Sequence, residues 1–206
     1  MENFKHTNKE IEFWSVTGEI MAQNKYSETH VSSSGGGGYI GAHGGHIRAP
    51  SVHSTTVTNH EFWIKTEDGS EESVQLAGCD IPLREGQKIT LISAGVKGKG
   101  EGCYSVLVNH NAKSHWFIKK GDDLNKRLKI DVASGKSILI TGGLFGLVTY
   151  ITGSLGAGAV IAGGYFIFRV ATKVTRIIKM TTALDQHLES LAQQAYKNAK
   201  QNAALG

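Results

Sequence analysis

What this chain has little of narrows its chemistry first. It contains two cysteines, Cys79 and Cys103. They are too few for a disulfide framework, and their spacing matches no zinc pattern; reduced thiols in a cytosolic domain are expected. The opening stretch MENFKHTNKEIEFWS lacks the apolar run and small-residue cleavage site of a secretory signal peptide. No paired acid and base and no nucleophile in a recognised motif occur, so neither enzyme activity nor a cofactor is expected. Ser134-Gly135-Lys136-Ser137 has the end of a phosphate-binding loop. The glycine that motif requires five residues before Gly135 is replaced by Ile130, and no parallel-sheet context precedes it.

The most informative absence is charge. From Ser137 to Phe168, 32 consecutive positions, the sequence contains no Asp, Glu, Lys, Arg or His. An uncharged apolar run of this length reads as a membrane segment. Basic residues bracket it: Lys126, Arg127, Lys129 and Lys136 come before, and Arg169, Lys173, Arg176 and Lys179 follow. These eight are the candidates for contact with anionic lipid headgroups.

As one helix the run would be about 48 Å long, against a hydrocarbon core of about 30 Å. It would overshoot or tilt steeply. The alternative is a transmembrane helical hairpin with a break near residues 153–158, whose arms of about 22 Å are short and need snorkelling cations at their ends. A hairpin keeps both basic clusters on one side, as the positive-inside rule prefers, and is the favoured arrangement, with the soluble parts in the cytoplasm. Small residues recur at four-residue steps within the run: Gly142 and Gly146, Ser154 and Gly158, Ala159 and Gly163. Such pairs let helices approach closely in lipid, either between the arms of one hairpin or between copies of the chain.

Before the run the pattern is β-like. Residues 1–14 read as an N-terminal arm with a small aromatic cluster, Phe4, Phe13 and Trp14. Residues 15–120 carry about eight short strands separated by turn signals, which predicts a small antiparallel β-barrel or sandwich of SH3-like or OB-like size. Asn24-Lys25 is one candidate turn, and Asp68-Gly69 is the clearest hairpin signal. The stretch 34–50 is dense in glycine and is expected to be a flexible loop. Residues 121–136 form a charged connector with a short helix expected near Asp122. Residues 169–206 form a polar helix in which Ile177, Leu184, Leu188 and Leu191 lie on an a/d-like seam, for self-association between subunits or for packing on the chain's own β-domain.

Two further sets of residues suggest chemistry weakly. Five histidines fall between His30 and His60, and His43, His46 and His53 are the weak metal candidates. No Cys, Asp or Glu joins them in a recognised spacing, so solvated loop histidines are the plain reading. Trp63, Tyr104, Trp116 and Phe117 could stack nucleobases, although alternating aromatics in short strands more often fill a core.

The sequence therefore predicts a non-enzymatic integral membrane protein. Its cytoplasmic β-domain binds a protein or ligand, and it self-associates through the glycine-rich membrane segment and the C-terminal helix. An oligomeric, membrane-permeabilising effector with the β-domain as sensor is the alternative. A soluble nucleic-acid-binding barrel stands third, because the basic residues bracket the apolar run instead of gathering on a folded face.

Overall fold

The computed structural model describes residues 1–41, 44–132 and 136–205. Its N-terminal part is a mainly antiparallel β-sheet region. The strands are β1 (Phe4–His6), β2 (Lys9–Ser34), β3 (Gly37–Gly41), β4 (Gly44–Arg48), β5 (Ser51–Thr66), β6 (Glu71–Ala77), β7 (Lys88–Val96), β8 (Gly102–Asn109) and β9 (Ser114–Phe117). Three helices follow: α1 (Gly121–Leu128), α2 (Lys136–Thr152) and α3 (Leu155–Leu205).

One sheet has the order β6-β5-β2-β7-β8-β9, with β1 added on β2. Among the described strands its ends, β6 and β9, do not pair with each other, so a closed barrel is not what this order gives. Period-two alternation sorts the side chains: Phe62 and Ile64 of β5 are buried while Trp63 between them is 45% exposed. The aromatic expected in the core at position 63 is thus on the outside, and its neighbour Phe62 takes the core. β7 is buried from Ile89 through Gly95, the continuous pattern of a strand covered on both faces. The Thr90 hydroxyl in this strand lies 2.7 Å from Thr17 Oγ1 and 2.8 Å from His110 Nε2, and Ser105 of neighbouring β8 donates to the carbonyl of Ile92 at 2.9 Å.

Asn24-Lys25 does not turn. β2 continues through it, with Asn24 opposite Glu61 and Lys25 opposite His60. The Lys25 ammonium holds the extended path by donating to Asp80 Oδ1 at 2.8 Å and to the Ile81 carbonyl at 2.7 Å. β2 and β5 remain paired out to Ser34 and Ser51, with residues 24–34 exposed. The glycine-rich stretch is also more regular than its composition suggests, because β3 and β4 form a two-stranded ladder there. Asp68-Gly69 meets expectation, lying between β5 and β6 with Gly69 at φ +86°.

By its contacts the chain divides into two units. One comprises Met1–Ser15, Leu91–Val108 and Lys119–Gly206; the other comprises Val16–Thr90 and Asn109–Ile118. The candidate membrane segment and both of its basic flanks belong to the first unit.

Candidate membrane segment and its basic flanks

Helix α2 ends where the sequence offers its break. Gly153 takes a left-handed φ of +64°, which a residue with a Cβ adopts only at a cost of about 1–2 kcal/mol. Its N–H returns to the Thr149 carbonyl at 2.9 Å, and the Thr152 hydroxyl donates to the Val148 carbonyl at 2.8 Å. Ser154 then starts α3, its Oγ accepting from the Ala157 N–H at 3.4 Å. A glycine after one helix and a serine before the next match the chemistry of helix stop and start.

Beside this turn α2 and α3 touch at Gly158. A Cβ placed there would overlap Thr149 Oγ1 and lie 3.1 Å from the Phe145 carbonyl oxygen. One turn further along α3, Ala162 is also buried. The other small residues have different surroundings. A Cβ at Gly142, Gly146 or Gly163 would meet open space, and Ser154 and Ala159 are exposed.

α3 contains a stretch long and apolar enough to cross a membrane by length and composition, and only 11% of that window is buried. α2 contributes a shorter apolar helix over Ile138–Thr152. Large side chains on both are open to solvent, among them Leu139 (77%), Ile151 (71%) and Val160 (75%).

The basic flanks resolve into separate roles. In α1, Lys126 pairs with Asp122 at 2.5 Å and Arg127 is exposed. Lys129 caps α1 in a left-handed conformation at φ 52°, and its carbonyl accepts from the Lys9 ammonium. Lys136 is the first residue of α2. On α3, Arg169 and Lys179 are exposed, whereas Lys173 and Arg176 turn to a carboxylate. That group is Asp131, only 6% exposed.

Arg176 donates to Asp131 from Nε at 2.7 Å and from Nη2 at 3.1 Å, a two-pronged geometry suited to guanidinium and carboxylate. Lys173 also donates to it, and His6 Nε2 lies 3.2 Å from Oδ2. Asn125 of α1 fixes the backbone of Asp131, accepting its N–H at 2.7 Å. Burial alone would raise the Asp131 carboxyl, but the hydrogen bonds from Arg176, Lys173 and His6 outweigh it. They hold the group well below the usual carboxylate range.

The sequence reading missed His6, Asn125 and Asp131. A signal was present, since Asp131 is the one acidic residue between Asp123 and Asp185. It sits at the edge of an otherwise basic and apolar stretch, where a lone carboxylate needs cationic partners.

The seam on α3 splits as well. Leu184, Leu188 and Leu191 are buried inside the chain's own fold, while Ile177 is half-buried. α3 packs there against α1 and β1, with the His187 ring 5.2 Å from Phe13 and 5.8 Å from Phe4. Those three leucines are therefore consumed within one subunit and offer no surface to another.

Of the histidine candidates, His43 lies outside the described residues. His46 is in backbone register with position 39 in the β3–β4 ladder, and His53 stands exposed on β5 with Nε2 3.1 Å from Ser51 Oγ. Among the described residues no group of three or more His, Cys, Asp or Glu is placed to hold a metal ion. Comparison with protein families, with curated proteins and with solved structures finds nothing that matches this chain.

Proposed function

We propose that this chain is a non-enzymatic membrane-anchored protein. In this reading α2 and the first part of α3 insert as a transmembrane helical hairpin, and the β-region stands on the cytoplasmic side to bind a protein or ligand. The observation that carries it is the uncovered apolar surface of α2 and α3. A soluble protein rarely leaves a contiguous patch of such side chains in water, and a core helix of a soluble fold would be mostly buried. Lipid is the natural solvent for this surface.

Length and charge support the same arrangement. α2, with 17 residues, is about 25 Å long, and the uncharged start of α3 adds a second arm of about 21 Å over residues 155–168. Both fall short of about 30 Å of hydrocarbon, a shortfall that local thinning and snorkelling cations accommodate. The turn at Gly153 lets both basic flanks lie on one side.

Self-association is placed on Gly142 and Gly146, where an added Cβ would meet nothing within 4 Å among the described residues. The partner surface is placed on the exposed outer part of the β2–β5 ribbon, whose backbone edges suit strand addition. Fractionation with an alkaline carbonate wash tests the anchor. The full chain is expected to stay in the pellet, and release into the supernatant overturns the reading.

A further inference from the structure

A groove of about 760 Å³ lies between β1 and α3, lined by Phe4, Lys5 and His6 on one side and by α3 from Phe168 to Ala183 on the other. We infer that this groove binds one anionic phospholipid, its phosphate between Lys5, Arg176 and Lys179 and an acyl chain along Phe168. The inference rests on the membrane reading above and names a specific ligand site within it.

The lining is sorted by chemistry. It includes three cations, Lys5, Arg176 and Lys179, and no carboxylate. Each cation has capacity left for a ligand. Arg176 spends Nε and Nη2 on Asp131, and a guanidinium has five N–H donors. The Lys5 ammonium is 4.0 Å from Glu10, but Glu10 is held more closely by Lys97 at 3.1 Å and by Asn3 at 2.8 Å. Lys179 forms no ion pair among the described residues. Asp131 cancels one charge of the cluster and fixes the Arg176 fork in place, so little side-chain order remains to be imposed on binding.

Phe4, Phe168, Ala171 and Met180 supply the other half of the lining. A second, mostly apolar groove of about 470 Å³ adjoins it, lined by Phe166, Ile167, Val170 and Val174 and sharing Ala171 and Thr175. A soluble anion would use only the basic half and leave these surfaces wet; an amphiphile covers both. Position agrees: the groove begins at Phe168, the last residue of the uncharged run. Cβ atoms on a helix lean toward its N-terminus, which aims the Arg176 and Lys179 side chains back toward the apolar segment. Their long stems then bring the charges to headgroup depth.

The test uses the purified full chain in nanodiscs of phosphatidylcholine with or without phosphatidylglycerol, released into native mass spectrometry. Wild type is expected to retain one phosphatidylglycerol in preference to phosphatidylcholine. Each lysine near an anionic headgroup contributes roughly fivefold in affinity, so Lys5→Gln/Lys179→Gln should weaken retention by about 25-fold. Ala171→Trp should exclude the lipid by filling the groove while leaving every charge in place, and Lys99→Gln/Lys197→Gln should change nothing. Equal retention by the Lys5/Lys179 variant, or displacement by inorganic phosphate, overturns the lipid site. So does crosslinking of Lys179→Cys to a second copy, which would make the groove a subunit interface. Carbonate resistance of the same preparations separates the two ideas. A protein that stays in the membrane but shows no phosphatidylglycerol preference loses only the groove, whereas one released by carbonate loses the anchor and the groove together.

Discussion

Replacing Asp131 with asparagine keeps the side chain's size and removes the charge on which His6, Lys173 and Arg176 converge. A hydrogen bond to a charged group nets about 1.5–3 kcal/mol, and removing one partner of a buried ion pair costs about 3–5 kcal/mol. Lys173 and Arg176 keep 27% and 51% of their side-chain surface in water, so they rehydrate and are not left stranded. That places the expected loss at about 2–3 kcal/mol, inside the first range and no higher than the bottom of the second. For a chain of this size it corresponds to roughly 4–12 °C in Tm.

The assay is thermal unfolding of the detergent-solubilised full chain, followed by near-ultraviolet circular dichroism at several pH values. The folded-state carboxyl of Asp131 is depressed. Its stabilisation is therefore fully present above the unfolded value of about 3.9 and is lost as pH falls below that. Wild type and Asp131→Asn should differ most near neutrality and converge as the solution is acidified. A variant within about 1 °C of wild type at neutral pH, under about 0.5 kcal/mol, would refute the idea that Asp131 clamps α3. So would a double-mutant cycle with Arg176→Gln that shows no coupling.

Other perturbations separate the parts of the fold. Gly158→Leu forces a side chain against Thr149 and the Phe145 carbonyl; overpacking of this kind costs about 1–3 kcal/mol and should increase proteolysis near Gly153 in nanodiscs. Gly142→Leu/Gly146→Leu meets open space, so secondary structure should be retained while crosslinking into the proposed oligomer is lost; unchanged crosslinking would remove that face from consideration. His60 and His110 are both lowered, chiefly by burial. Each contributes stability that is complete above the unfolded value of about 6.5 and falls as the pH drops through the depressed folded value. His60→Phe should accordingly flatten the acid limb of a Tm-versus-pH curve, and an unchanged limb would show that this buried imidazole does not control it.

Local chemistry was legible where one residue type dictates it. The charge-free run marked the apolar helices, the glycine-rich break fell at Gly153, and Asp68-Gly69 marked a turn between strands. Asn24-Lys25 misled because a turn dipeptide is a weak local preference. Partners distant in sequence, Asp80 and the Ile81 carbonyl opposite Lys25, hold the strand straight. The leucine seam was legible as a packing stripe, but periodicity cannot say whether the covering surface is another subunit or the chain's own α1 and β1. Asp131 was the largest omission. Its cations lie 42 and 45 residues further along the chain, and no spacing rule reaches across the apolar run that separates them.

Impermeant maleimide labelling of single-cysteine variants distinguishes a hairpin anchor from a single span. Asp122→Cys and Gln186→Cys, each in a Cys79→Ser/Cys103→Ser background, place exposed thiols on the two sides of the apolar run. The hairpin anchor predicts that both are protected in intact cells and that both label once the membrane is permeabilised. Labelling of one site but not the other in intact cells would contradict it and replace the hairpin with a single span.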